Sequence, residues 1–109
     1  MIQQEKVNDV LVCIINGEVN ITTSPELRKA FEKIIHDNQK KIIIDFTQVT
    51  YIDSSGLATL IEMLQRLRKI GGSLRLANMS QKVKNVFEIT KLAKLFEIAD
   101  TREAALLNF

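Results

Sequence analysis

Two uninterrupted, β-branched-rich apolar runs, residues 10–15 (Val10-Leu11-Val12-Cys13-Ile14-Ile15) and 41–46, stand out from the mixed texture of the chain. A strand covered by helices on both faces reads this way, because neither side of its pleat meets water, so both runs predict central strands. A shorter strand over about residues 3–7 should turn at Asn8-Asp9 into an antiparallel hairpin with the first central strand. The helical period then takes over twice. Leu27, Ala30, Phe31, Ile34 and Ile35 form one stripe behind Ser24-Pro25, read as a cap and first helical position. Leu57, Leu60, Ile61, Leu64 and Leu67 form a second stripe, which should run to about Ile70. Gly71-Gly72 turns the chain into a strand over residues 73–77. Ser80 should open a third helix that buries Val83, Val86 and Phe87. Leu95-Phe96-Glu97-Ile98 reads as an edge strand, and Thr101 as the cap of a last short helix carrying Ala104, Ala105 and Leu107.

These elements add up to an α/β domain with a mixed, mostly parallel sheet of four to five strands, helices packed on it, and an antiparallel amino-terminal edge. In such sheets the functional crevice lies beyond the carboxyl ends of the parallel strands. Two segments are expected there: the loop over residues 16–23, after the first central strand, and Asp53-Ser54, where the second gives way to a helix. The first N–H groups of a helix lack internal partners and the macrodipole leaves that end partly positive, so a carboxylate, hydroxyl or phosphate is at home there. Asp53, Ser54 and Ser55 fit that chemistry. Ser55 is expected as a first-turn residue with its hydroxyl turned to backbone, and Gly56 as the point where a partner's backbone comes close. A plain helix cap is the competing reading of Asp53 and Ser54.

Composition narrows the field. At 109 residues and 46% hydrophobic, the chain supports one core, a single domain over residues 1–109. With no apolar run near the roughly 20 residues that span a bilayer, and no signal-like start, a soluble, cytoplasmic protein is expected. Cys13 lies inside an apolar run and reads as a packing residue; one Cys and one His make no all-protein His/Cys metal site, and no cofactor is predicted. Fifteen Lys and Arg against thirteen Asp and Glu leave +2, and the basic clusters lack the interleaved aromatics that stack on bases, so direct nucleic-acid binding is not expected. A serine hydrolase would need a base for Ser54 or Ser55, and the only histidine, His36, falls near the end of the first helix, while the G-x-S-x-G pattern is absent. An aspartyl-phosphate receiver would need an acidic pair where Cys13-Ile14-Ile15-Asn16 stands.

The run Ile44-Asp45-Phe46 through Tyr51-Ile52-Asp53-Ser54-Ser55-Gly56-Leu57, with Asn16-Gly17-Glu18-Val19-Asn20 upstream, resembles the STAS domain of bacterial anti-sigma factor antagonists across nearly the whole chain. Asn20 stands where many antagonists carry an acidic residue. The resemblance implies a binding protein and not an enzyme, with Ser54 the phosphoacceptor of a partner serine kinase. It implies that the unphosphorylated form binds that kinase, an anti-sigma factor, and frees a sigma factor, and that a PP2C-type phosphatase resets the phosphorylated form. Glu18, Asn20, Thr22, Asp53, Ser55 and Gly56 are then the expected docking residues; the competing reading of Asn20 and Thr22 is that they only hold the turn. A stressosome-type scaffold or a lipid-transport accessory is the alternative role within the same family.

Overall fold

The computed structural model describes residues 1–109. Its five strands lie side by side in sequence order. β1 (Ile2–Val7) is antiparallel to β2 (Val10–Val19) through the expected turn, and β2, β3 (Lys41–Ile52), β4 (Ser73–Ala77) and β5 (Glu97–Ala99) run parallel. Helices α1 (Ser24–His36), α2 (Ser54–Lys69), α3 (Gln81–Ile89) and α4 (Arg102–Leu106) complete the chain.

The side-chain period of two in a strand sorts the sheet's residues onto two cores. Leu11, Cys13, Ile15, Ile42, Ile44, Phe46, Leu74 and Leu76 point to the face covered by α1, α2 and α3, where they meet Leu27, Phe31 and Ile34, then Leu57, Leu60, Met63, Leu64 and Leu67, then Val83 and Phe87. Phe87 stands edge-on between Phe46 and Phe96, with ring centroids 6.2 and 5.7 Å away. Val10, Val12, Ile43 and Ala77 point to the other face, closed only by Ala105 of α4 and its neighbours Leu106 and Phe109. Ile42, Ile43 and Ile44 are fully buried, which is why the β3 run reads as continuous. No helix is long and apolar enough to cross a membrane.

Five boundaries depart from the sequence reading. Both central strands run past their apolar stretches, β2 to Val19 and β3 to Ile52, so residues 16–19 are strand and not loop. These strand ends are solvated on one face, with Val19, Val49 and Ile52 turned into the helix-covered core among exposed polar neighbours. The register shifts after Ile14 and again after Gly17, whose φ of +93° suits glycine, and so the alternation breaks. The cap of α1 is Thr23, and Ser24 is the first helical residue, its hydroxyl taken by a partner described below. Leu92–Leu95 is a 3-10 turn entered through Lys91 at φ +62°, so the edge strand begins only at Glu97 while Phe96 fills the core. In the last helix Ala105 is buried, but Ala104 is exposed and Leu107 lies past the helix end, 67% exposed. Val86 is only partly buried at the edge of the α3 stripe.

Candidate functional site

β2 and β3 end together. Val19 pairs with Ile52 in the ladder, and the Asp53 amide donates to the Val19 carbonyl at 3.0 Å, which fixes the start of α2 against the end of β2. Asp53 is the N-cap of α2. Its Oδ1 accepts the amides of Ser55 (2.9 Å) and Gly56 (3.2 Å) and the Ser55 hydroxyl (2.6 Å). The Ser55 hydroxyl is the largest influence on the Asp53 carboxyl and lowers it; burial opposes, and the Gly56, Ser55 and Ile21 amides add to the hydroxyl, leaving it below the ordinary carboxylate range. Ser55 therefore turns its hydroxyl to a side-chain carboxylate and not to backbone, and the Ser24 hydroxyl meets it at 3.1 Å. Ser54 is exposed, and its hydroxyl takes no part in these bonds.

Gly56 corrects an expectation. It is buried, and a Cβ there would stand 2.7 Å from the Val19 side chain and 2.8 Å from that of Ile52. The close approach its missing side chain permits is to this domain's own strand ends, and its place in the site is beneath the surface.

The turn after β2 supplies the other wall. Asn20 Oδ1 accepts the amides of Thr22 (2.9 Å) and Thr23 (3.1 Å), and its Nδ2 donates to Glu18 Oε2 at 3.3 Å. Thr23 Oγ1 donates to the Glu18 carbonyl at 2.8 Å. Asn20 thus does hold the turn, as the local reading required, while also orienting the exposed Glu18 carboxylate; Thr22 lends the turn only its amide and leaves its side chain exposed. Two exposed apolar side chains on this end escaped the sequence reading: Ile21 at the tip of the turn (77% exposed) and Tyr51 (41%), whose ring lies 5.9 Å from the Lys82 ammonium. Ile21 was legible as an apolar residue among turn formers. Tyr51 and the buried Ser24 gave no such signal.

The arrangement offers a partner an exposed hydroxyl, two carboxylates and a small apolar tip, and the histidine is far from it. His36, 90% exposed beside Asp37, sits at the opposite end of α1 from Ser24, roughly 18 Å along the helix at 1.5 Å per residue. The Cys13 thiol is fully buried, and burial pushes its pKa up to about 12, which leaves it a packing residue.

A family model for the STAS domain matches residues 1–105. The chain belongs to the STAS domain family. The anti-sigma-B factor antagonist of Bacillus subtilis is 30% identical over 91% of this chain and 89% of its own length, and that of Listeria monocytogenes is 31% identical over 87% and 83%. A solved structure of an anti-sigma factor antagonist from Mycobacterium paratuberculosis superposes with a TM-score of 0.89 at 25% identity, covering 97% of this chain and 90% of the other. This STAS domain carries its exposed serine at the start of α2, where the ends of β2 and β3 converge.

Proposed function

We propose that this STAS domain is a phosphorylation-switched anti-sigma factor antagonist of the cytoplasm, with Ser54 as the phosphoacceptor. In the unphosphorylated state it binds a serine-kinase anti-sigma factor through Ser54, Asp53 and Ser55 together with Glu18, Asn20 and Thr22, and so frees a sigma factor. The observation that carries the reading is the contrast within one helix turn: Asp53 and Ser55 are bonded to each other, while the neighbouring Ser54 hydroxyl is exposed and uncommitted. The family's named antagonists lend it support.

The switch follows from charge. A phosphoryl group on Ser54 adds about two negative charges at neutral pH. The helix amides that could have absorbed them are already given to Asp53, from Ser55 and Gly56, so the phosphate stays at the surface beside a carboxylate. A partner fitted to the neutral hydroxyl would have to desolvate that charge unpaired, which costs several kcal/mol in principle. The phosphoryl donor is bound by the kinase, and a PP2C-type phosphatase removes the group and restores binding.

Site-localised mass spectrometry after incubation with the kinase and ATP should place the phosphate on Ser54. Ser54→Ala should fold with stability within about 0.5 kcal/mol of wild type, because the cap of α2 is Asp53, and should bind the kinase in its presence with ATP indefinitely. Ser54→Asp should weaken binding by about tenfold or more, about 1.4 kcal/mol. Undiminished binding by Ser54→Asp, together with phosphate on another residue, would remove the mechanism.

A further inference from the structure

We propose that Ser24 decides which serine is modified: it immobilises the Ser55 hydroxyl, so that within Asp53-Ser54-Ser55 only Ser54 is free to accept a phosphoryl group. The proposal rests on the phosphoacceptor role given to Ser54 above and assigns its selectivity to a residue thirty positions away on another helix.

Donors and acceptors can be assigned along this relay. An ionised carboxylate only accepts, so the 2.6 Å bond from Ser55 Oγ to Asp53 Oδ1 uses the single hydroxyl proton of Ser55. The 3.1 Å contact between the Ser24 and Ser55 hydroxyls then has one polarity, with Ser24 donating and Ser55 accepting. Ser24 is 4% exposed and is the first residue of α1, so it cannot follow Ser55 outward. The backbone of Ser55 is held as well, its amide by Asp53 and its carbonyl by the hydroxyl of buried Thr59 at 3.0 Å. Ser55 Oγ is thus fixed inward between a buried donor and a carboxylate.

Phosphoryl transfer from a nucleoside triphosphate forms a bond between serine Oγ and the γ-phosphorus and breaks the bond to the β–γ bridging oxygen. The diphosphate departs and the hydroxyl proton passes to a base or to solvent. The attacking oxygen needs a free lone pair and an open approach in line with the leaving oxygen. Ser55 is short of both: Ser24 takes one of its two lone pairs, and the carboxylate 2.6 Å away holds its proton and repels the polyphosphate. Asp53 already engages the Ser55 proton, but the same bond, with that from Ser24, ties the oxygen into the relay and away from an incoming donor. Ser54 lies outside the relay and is exposed.

Two measurements test the proposal. The first needs no kinase: Hα–Hβ couplings of Ser55 by NMR should report one χ1 rotamer in the wild type and averaged rotamers in Ser24→Ala, with urea midpoints confirming that both are folded. In the second, Ser54→Ala incubated with the serine kinase and ATP should show no phosphate on Ser55, Ser24→Ala/Ser54→Ala should show at least tenfold more there, and Ser24→Thr/Ser54→Ala, which restores a hydroxyl, should suppress it again. A fixed Ser55 rotamer in Ser24→Ala, or equal Ser55 labelling with and without the Ser24 hydroxyl, overturns the proposal. If the kinase labels no serine even in the wild type, the reading of Ser54 falls, and the coupling constants alone then decide whether Ser24 holds Ser55.

Discussion

Asp45 and Asp53 share one local geometry and live in opposite surroundings. Each carboxylate turns back on the residue two positions later, accepting its amide at 2.9 Å and its hydroxyl, from Thr47 at 2.5 Å and from Ser55 at 2.6 Å. Asp45 is 3% exposed, and its charge is met by Asn78 Nδ2 (3.2 Å) and by the Arg102 guanidinium (3.0 Å), which reaches on to Glu5 at 2.8 Å. Asp53 has no cation beside it and faces the open end of the sheet. Asp45 thereby ties α4 to β3, over the thinner of the two cores, whereas Asp53 caps a helix and leaves its negative field toward solvent. The local motif alone does not distinguish the two settings; a paired cation does.

Replacing each by its isostere should separate the two most widely. Asp45→Asn leaves Arg102 with only exposed Glu5 and puts an amide donor where five donor atoms converge, a loss of about 2–4 kcal/mol. Asp53→Asn keeps an equally good cap and should stay within about 0.5 kcal/mol of wild type. Urea unfolding of the two variants measures this directly, and equal losses would erase the distinction. In kinase binding the order should reverse, with Asp45→Asn close to wild type once folded.

The same contrast explains what the sequence could disclose. The elements and the antiparallel amino-terminal edge of a mostly parallel sheet were legible because buried runs, helical stripes and turn residues carry strong local signals, and Asp53-Ser54 because a helix start has its own chemistry. Asp45 was absorbed into the apolar run of β3, and nothing local marked it, since its partners Asn78 and Arg102 lie 33 and 57 residues away. Ser24 was read as a cap for the same reason: its hydroxyl partner is 31 residues distant. Strand ends were misplaced where burial becomes one-sided and a bulge shifts the register. Long-range polar pairing leaves no period in a sequence, and it is the part that structure had to supply.

Acid should expose the buried carboxylate next. Burial pushes the Asp45 carboxyl up, but the Thr47 hydroxyl and amide, Asn78 and Arg102 outweigh it and hold its pKa below the ordinary range. A carboxyl depressed in the folded state stays ionised while the unfolded chain takes up its proton. Its stabilisation is therefore complete above the unfolded value near 4 and is lost as pH falls through the folded one. Stability should be flat above about pH 5 and decline below about pH 4, with Asp45 contributing a slope of at most about 1.4 kcal/mol per pH unit. Asp45→Asn should flatten that decline in a urea-midpoint series; an unchanged acid slope would show that the carboxylate is not the group being titrated.

The smallest effect should come from the rim of the docking end. Glu18 is exposed, held only by Asn20 Nδ2, so reversing it to Lys removes no core contact and should leave the unfolding midpoint within the roughly ±0.5 kcal/mol of ordinary surface changes. Affinity for the kinase should nonetheless shift about three- to five-fold, about 0.7–1 kcal/mol, mainly through the association rate and more strongly at low salt, because rim charges steer encounter. Lys84 on α3, ion-paired with Asp100 at 3.7 Å, is the matched control. Its reversal to Glu should leave kinase affinity unchanged. If Lys84→Glu lost binding while Glu18→Lys kept it, the partner would dock on the α3 face, and the uncompensated field around Asp53 would need another explanation.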